Sequence, residues 1–221
     1  MVPVVNQRGT VVRSPSAVGA KEAATEEKAE RHQRADARRN RELILEAAEV
    51  LFAEQGMGIP IDDIARKAGV GVGTVYRHFP TKEALAGAIV IVRMEELAAQ
   101  AESLESSDEP GSAFFSFLTR LGDVALEKRD LVDAIMGAGI DMKELSSAVK
   151  PRLERSAEVL LQRAQGCGKV RPDVEVADLF ALVMGTCEMA TKETRCSKAR
   201  MMSVVIAGLR TAAPEESPLP S

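Results

Sequence analysis

The sequence predicts an all-α protein of about nine helices, on three observations. Ala, Leu, Glu, Arg and Met, all good helix formers, dominate the 221 residues. Apolar residues recur at i, i+3, i+4 spacing through most of the chain. No long alternating run of Val, Ile and Thr reads as a strand. Hydrophobic residues make up 45% of the chain, enough for one large core or two modest ones. Aromatic residues are only 3%, with one tyrosine and no tryptophan.

Residues 1–36 are expected to lack fixed structure. Pro3, Gly9, Pro15 and Gly19 break the first half. The second half, KEAATEEKAERHQRADARRN, is charged and has no apolar stripe, although it can be helical where it enters the next segment. The first strong helix spans 38–55, where Leu43, Ile44, Ala47, Ala48, Leu51 and Phe52 share a face and Gly56 supplies a left-handed end. A two-turn helix follows after Pro60, with Asp62 and Asp63 suited to its positive start and Gly69 at its end. A third covers about 72–78 and stops at Pro80; Thr81 then caps a long fourth helix. ESSDEPGS breaks that helix. Further helices are expected near 111–128, 130–138, 145–165, 174–192 and 197–212, with Pro151 kinking or starting the third of these and Asp173 capping the fourth. The domain boundaries that follow are 1–36, 37–84, 85–212 and a loose, proline-rich tail at 213–221.

Several function classes are set aside by composition. No apolar run is long enough to span a bilayer and the first residues lack a signal-peptide core, so the expectation is a cytoplasmic protein without a membrane partner. Cys167, Cys187 and Cys196 form no metal-ligand or redox spacing, and an odd count argues against a disulfide framework. No Asp/Glu/His cluster has ligand spacing and no catalytic constellation is visible, so no metal, no cofactor and no enzymatic activity are expected. The net charge of −4 is uneven: residues 31–82 carry 9 Lys+Arg against 7 Asp+Glu, and residues 83–221 carry 16 against 22. A locally basic segment followed by an acidic body is compatible with phosphate binding at one end.

The stretch AGVGVGTVYRHF has glycines at 69, 71 and 73. A dinucleotide loop needs GxGxxG after a strand, and a Walker loop needs Lys-Ser/Thr after its last glycine; this stretch has neither. It fits the turn of a helix-turn-helix. Ala65 is small where two helices cross, Gly69 can take the positive φ of the turn, Val70 plugs it, and Ile64, Ala68, Val75 and Phe79 face inward. That leaves Gly71, Val72, Gly73, Thr74, Tyr76, Arg77 and His78 as candidates for a surface entering the major groove of DNA. Glycines there bring the backbone close to DNA. Thr74 suits a phosphate or a thymine methyl, the Tyr76 hydroxyl a phosphate, and Arg77 a guanine or a phosphate. Arg38, Arg39 and Arg41, at the start of the first helix, either reach an adjacent groove or are solvated charges.

The stretch IDDIARKAGVGVGTVYRHFPTKEALAGAI, with ILEAAEVLFAEQG before it, resembles the DNA-binding signature of TetR-family transcriptional regulators over about 40–89. The order Gly73-Thr74, Tyr76, His78-Phe79 and Lys82-Glu83 carries the resemblance. Two positions depart from it: Gly71 stands where the family usually has Ser or Thr, and Ile61 closes a segment from Ile59 where it usually has threonine. Ile61 is still counted with the contact residues. The resemblance implies that Thr74, Tyr76, His78 and Lys82 touch the phosphate backbone, with Lys82 adding its charge to a helix N-terminus.

Residues 160–185 resemble the SbtR-like branch of TetR C-terminal domains, which implies a helical domain that binds a small effector and dimerises. Candidates for an effector pocket are Phe114, Phe117, Leu118, Leu121, Met136, Ile140, Met142, Leu160, Phe180 and Met184. Leu179, Val183 and Cys187 on the penultimate helix, with Met201, Val204, Val205 and Gly208 on the last, are candidates for a four-helix dimer interface. The expectation is thus a homodimeric, ligand-responsive repressor on a palindromic DNA operator, its recognition helices one turn or more apart, roughly 34–36 Å. A DNA-binding helical module without an effector and an α-helical enzyme are the competing readings.

Overall fold

The computed structural model describes residues 17–189 and 197–211. Among them are ten helices: α1 Ala17–Gln55, α2 Ile61–Ala68, α3 Val72–His78, α4 Lys82–Leu104, α5 Pro110–Glu127, α6 Arg129–Gly137, α7 Met142–Leu145, α8 Lys150–Gly166, α9 Val176–Met189 and α10 Lys198–Leu209. The only strand-like pairing among the described residues is an isolated bridge between Val170 and Arg210. No described helix is long and apolar enough to cross a membrane.

Three local differences from the sequence expectation have physical causes. First, α1 begins at Ala17, not near Arg38. The charged segment lacks an apolar stripe but is rich in helix formers, and exposed i,i+4 pairs run along it: Glu30 with Arg34 at 2.8 Å, His32 with Asp36 at 3.4 Å and Arg38 with Glu42 at 3.7 Å. Second, the expected helix over 145–165 is two helices. Asp141 caps the short α7 by accepting from the Lys143 N–H at 2.8 Å, and the Ser146 hydroxyl donates back to the Met142 carbonyl at 2.7 Å. Pro151 then lies in the first turn of α8, where its missing N–H costs nothing. Third, Asp173 does not cap α9. Arg171 holds its carboxylate through two 2.6 Å hydrogen bonds, and the Asp178 carboxylate instead reaches back to accept from the Glu175 N–H at 2.9 Å. The predicted end of that helix, 190–192, lies outside the described residues.

Two cores result, and α4 runs through both. The head core gathers Ile44, Ala48, Leu51 and Phe52 of α1, Ile64 and Ala65 of α2 and Val75 of α3. Leu85, Ala86 and Ile89 from the first half of α4, with Leu131 and Ile135 of α6, complete it. The body core gathers Leu97, Ala98 and Ala101 from the second half of α4 with Phe114, Phe117 and Leu118 of α5, Leu153, Leu160 and Leu161 of α8, Leu179 and Val183 of α9, and Met202 and Leu209 of α10. Burying each such Leu, Ile or Phe contributes about 1.5–3 kcal/mol, so the packing fixes α4 in both halves.

A polar cluster joins the two cores. Arg93 of α4 donates from Nε to one Glu49 oxygen at 2.7 Å and from Nη2 to the other. Lys128, at the α5–α6 junction and only 8% exposed, donates to Glu49 as well. Arg93 also donates to Glu96 at 2.5 Å. Burial alone would push the Glu49 carboxyl up, but the hydrogen bonds from Arg93 and Lys128 outweigh it and hold the group below the ordinary glutamate value of 4.5. A depressed folded-state pKa means stability that is present above the unfolded value and lost as pH falls through the folded one. Glu49→Gln should therefore cost about 2 kcal/mol at pH 7 by urea denaturation, because Lys128 loses its carboxylate. The gap between the wild type and Glu49→Gln should narrow as pH falls below 4.5. A gap that is constant from pH 7 to 3 would contradict this role.

Candidate nucleic-acid interface

The turn between α2 and α3 is built as its residue types require. Gly69 has φ +69°, its N–H donates to the Arg66 carbonyl at 3.2 Å, and the Val70 N–H donates to Ala65 at 3.1 Å. A methyl group at Gly69 would meet nothing within 4 Å, so conformation and not space demands glycine. Ile64, Ala65, Ala68, Val75 and Phe79 are buried, and Val70 packs partly against the same core. Gly71 precedes α3 with an ordinary φ of −71°, and the Thr74 N–H donates to its carbonyl at 2.8 Å.

This packing turns one side of α3 outward. Gly71, Val72, Gly73, Tyr76 and Arg77 are exposed, Tyr76 by 50%, while Thr74 and His78 are half-buried. Arg77 has no ion-pair partner among the described residues. The His78 ring lies 6.2 Å from that of Phe79. Beside α3, Thr81 caps α4 by accepting from the Ala84 N–H at 3.0 Å. Lys82 donates to the Met57 carbonyl at 3.0 Å, so this lysine ties the α1–α2 loop to the start of α4 and keeps its remaining donors for other partners. The Arg41 guanidinium sits 5.0 Å from the centre of the Phe79 ring, and Arg38 and Arg39 are exposed on the same helix. Ile61, the first residue of α2, is half-buried against the head core, so its side chain serves packing. Of the eleven predicted DNA-contact residues, Gly71, Val72, Gly73, Tyr76 and Arg77 are exposed around α3 and Arg38 and Arg41 on α1, while Ile61, Thr74, His78 and Lys82 are half-buried.

Six of the ten predicted effector-pocket residues share one core, and the other four lie elsewhere. Phe114, Phe117, Leu118, Leu121 and Leu160 are buried in the body core, and Phe180 packs against it. Ile140 and Met142 pack against the head core instead. Met136 and Met184 are exposed by 60% and 51%. A groove of about 870 Å³ lies between α1 and α4, lined by Arg41, Leu45, Glu49, Ala88, Val92 and Arg93 among others, and holds none of the ten. Periodicity finds apolar residues but does not say which of two cores each one joins.

The predicted dimer face needs a similar correction. Leu179 and Val183 are buried at 1% and 0%, facing their own body core. On α10, Met201 and Val205 are half-buried, while Val204 and Gly208 are exposed. The Cys187 side chain and all of Cys196 lie outside the described residues. The outward stripe of α9 carries Ala181, Leu182 and Gly185, a face that the same 3.6-residue period implies once Leu179 and Val183 point inward. No group of His, Cys, Asp and Glu among the described residues is placed to hold a metal ion.

Residues 44–89 match the family described as bacterial regulatory proteins, tetR family, and residues 109–211 match the C-terminal domain described as transcriptional regulator SbtR-like. The Escherichia coli K12 regulator UidR is 29% identical over 193 residues, covering 80% of this chain and 96% of UidR. The Mycobacterium tuberculosis H37Rv transcriptional repressor Rv3405c is 35% identical over 117 residues, 50% of this chain and 59% of that protein. The crystal structure of a TetR transcription regulatory protein from Mycobacterium vanbaalenii superposes with a TM-score of 0.64 at 39% identity, covering 80% of this chain and 99% of the other.

The turn geometry separates the glycines by experiment. Gly69→Ala should cost about 1–2 kcal/mol of stability, since alanine resists the left-handed region. Gly73→Ala, with open space around it and a helical backbone, should be neutral or stabilising by up to about 1 kcal/mol. Thermal unfolding of the two variants checks both signs, and equal costs would refute the assignment.

Proposed function

The chain belongs to the TetR family of bacterial regulatory proteins, and from that membership we propose that it is a homodimeric repressor which a small-molecule effector releases from a palindromic operator. One observation carries the DNA half of the reading: Val75, Phe79 and Leu85 are buried, which leaves Val72, Gly73, Tyr76 and Arg77 of α3 exposed just before the N-terminus of α4. Tyr76, Thr74, His78, Lys82 and Arg41 contact phosphates, and Arg77 reads a base edge. Gly71, Val72 and Gly73 allow the backbone of α3 to approach the groove. At Gly71 the backbone or a water takes the contact that a hydroxyl makes in relatives.

The effector half rests on α4. A single helix packed into both cores transmits a change in the body to the head. An effector among Phe114, Phe117, Leu118, Leu121, Leu160 and Phe180 shifts the population toward a state whose two heads no longer match the operator. Coupling of this kind is typically about 1–3 kcal/mol, or about 5–150-fold in affinity. Repression agrees with the role of Rv3405c, a transcriptional repressor. The scatter of the other four expected pocket residues favours a second reading, a DNA-binding protein without an effector; operator affinity unmoved across a metabolite panel would select it.

The dimer forms through the exposed faces of α9 and α10, where Leu182 and Val204 are 44% and 66% exposed. Ala181, Gly185 and Gly208 allow close approach there. Leu182→Glu with Val204→Glu should give a monomer by sedimentation, with the helical far-UV signal retained. A dimer that survives both would refute this interface.

The contact roles separate by salt. On an operator selected from random DNA, Lys82→Met should lower the slope of log K against log salt by about 1 per protomer. Tyr76→Phe removes a neutral donor, so affinity should fall by about 1 kcal/mol with the slope unchanged. Arg77→Ala should relax discrimination at one base pair, costing about 1–3 kcal/mol on the selected sequence alone. Gly73→Ala should weaken DNA binding despite its intact fold. Uniform losses across all sequences for Arg77→Ala would make it a phosphate contact.

A further inference from the structure

The α1 helix extends well beyond the part that packs into the head, and its charge is uneven. Between residues 31 and 41 there are five arginines, Arg31, Arg34, Arg38, Arg39 and Arg41, against one acid, Asp36. Arg31, Arg34, Arg38 and Arg41 are spaced i, i+3, i+7 and i+10. At 3.6 residues a turn they fall within about 80° of one another, on one face of the helix. All four are exposed.

The direction of this extension follows from two contacts. Arg41 meets Phe79, just before α4 begins. Glu49, two turns further along α1, meets Arg93, three turns inside α4. The two helices therefore advance in the same direction. Arg38 lines the groove beside Ala84, in the first turn of α4, so the residues before it run past the N-terminal end of that helix. Arg41 rests on the ring that closes α3 and lines the α1–α4 groove together with Arg38, so the face they share with Arg31 and Arg34 is turned to the end of the head where α3 meets α4. From Arg41 to Arg31 the stripe is about 15 Å long at 1.5 Å per residue. That matches four to five phosphates of one strand at about 3.4 Å each.

We propose that this N-terminal arm of α1 is a second DNA-contacting element, in which Arg31, Arg34 and Arg38 lie along phosphates of the duplex that flanks the half-site under α3. The inference rests on the reading of the head as the DNA-binding unit. Arg34 and Arg38 are paired in this structure with Glu30 and Glu42, but those are exposed neighbours on the same helix. Such pairs are weak and exchange readily for the denser charge of a phosphate row.

The test compares two duplexes selected by the wild-type protein, one cut at the outer edge of the half-sites and one carrying ten further base pairs on each side. The triple variant Arg31→Gln, Arg34→Gln, Arg38→Gln keeps helix-forming side chains, and far-UV circular dichroism verifies the helix. On the long duplex it should bind more weakly than wild type, with a log K against log salt slope shallower by about 2–3 for each arm. On the short duplex the two proteins should bind alike. Lysine at the same three positions should restore the long-duplex slope, since a phosphate row accepts either cation. If the wild type binds both duplexes equally and with the same slope, the arm is overturned while the head stands. If the triple variant loses as much on the short duplex as on the long one, the flanking contact is likewise overturned. If the wild type binds neither, the reading of the head fails and the arm falls with it.

Discussion

One carboxylate sets the geometry of this protein. Glu49 is the shared acceptor for Arg93 and Lys128, which come from sites 44 and 79 residues further along the chain. Each cation alone would be costly to bury near the junction of two cores; together around one acceptor they lose little. The consequence is positional. The first helix of the head, the long connecting helix and the start of α6 are pinned to one point, and the tilt of the head on the body follows from that point. Apolar packing alone, being non-directional, would tolerate several tilts.

The connecting helix does the rest. Its early residues, Leu85, Ala86 and Ile89, belong to one core, and its later ones, Leu97, Ala98 and Ala101, belong to the other. Close packing is kept by small side chains: a methyl at Gly87 would come within 3.1 Å of Leu145. A helix packed this way is tied to α1 at Arg93, between the two cores. The loop between it and α5 is also held, since Arg163 of α8 donates to the carbonyls of Glu105 and Ser107, the latter at 2.8 Å. Those bonds tie the loop to α8.

What was legible in the sequence was what depends on near neighbours. The helical turn at Gly69, the Thr81 cap and the inward face of α2 all follow from residues within one or two turns, and the structure has them where the spacing puts them. The outward side of α3 was legible for the same reason. Expectations that depended on distant partners fared otherwise. Leu179 and Val183 have the right period for a helix face, but which face meets another protomer depends on where α5 lies. Met136 reads as a pocket residue by type and turns out exposed. Asp173 is an ideal cap by type, yet Arg171 two residues earlier competes for it. The Glu49 cluster left no local signal at all. The full length of α1 has no apolar periodicity to mark it; only its entry into the first strong helix is legible, and helix propensity and ion pairs carry the rest.

The open space around Gly71 and Gly73 has a consequence for how such a protein changes over time. A side chain at 71 would meet only the Thr74 hydroxyl at 3.9 Å, and one at 73 would meet nothing. Surface positions away from caps and special backbone conformations usually change stability by no more than about 0.5 kcal/mol on substitution, so a new preference for a partner sequence can arise there with the fold intact. Here the two are decoupled. Drift at these positions is filtered by recognition alone, and a lineage can explore new target sites from an intact scaffold.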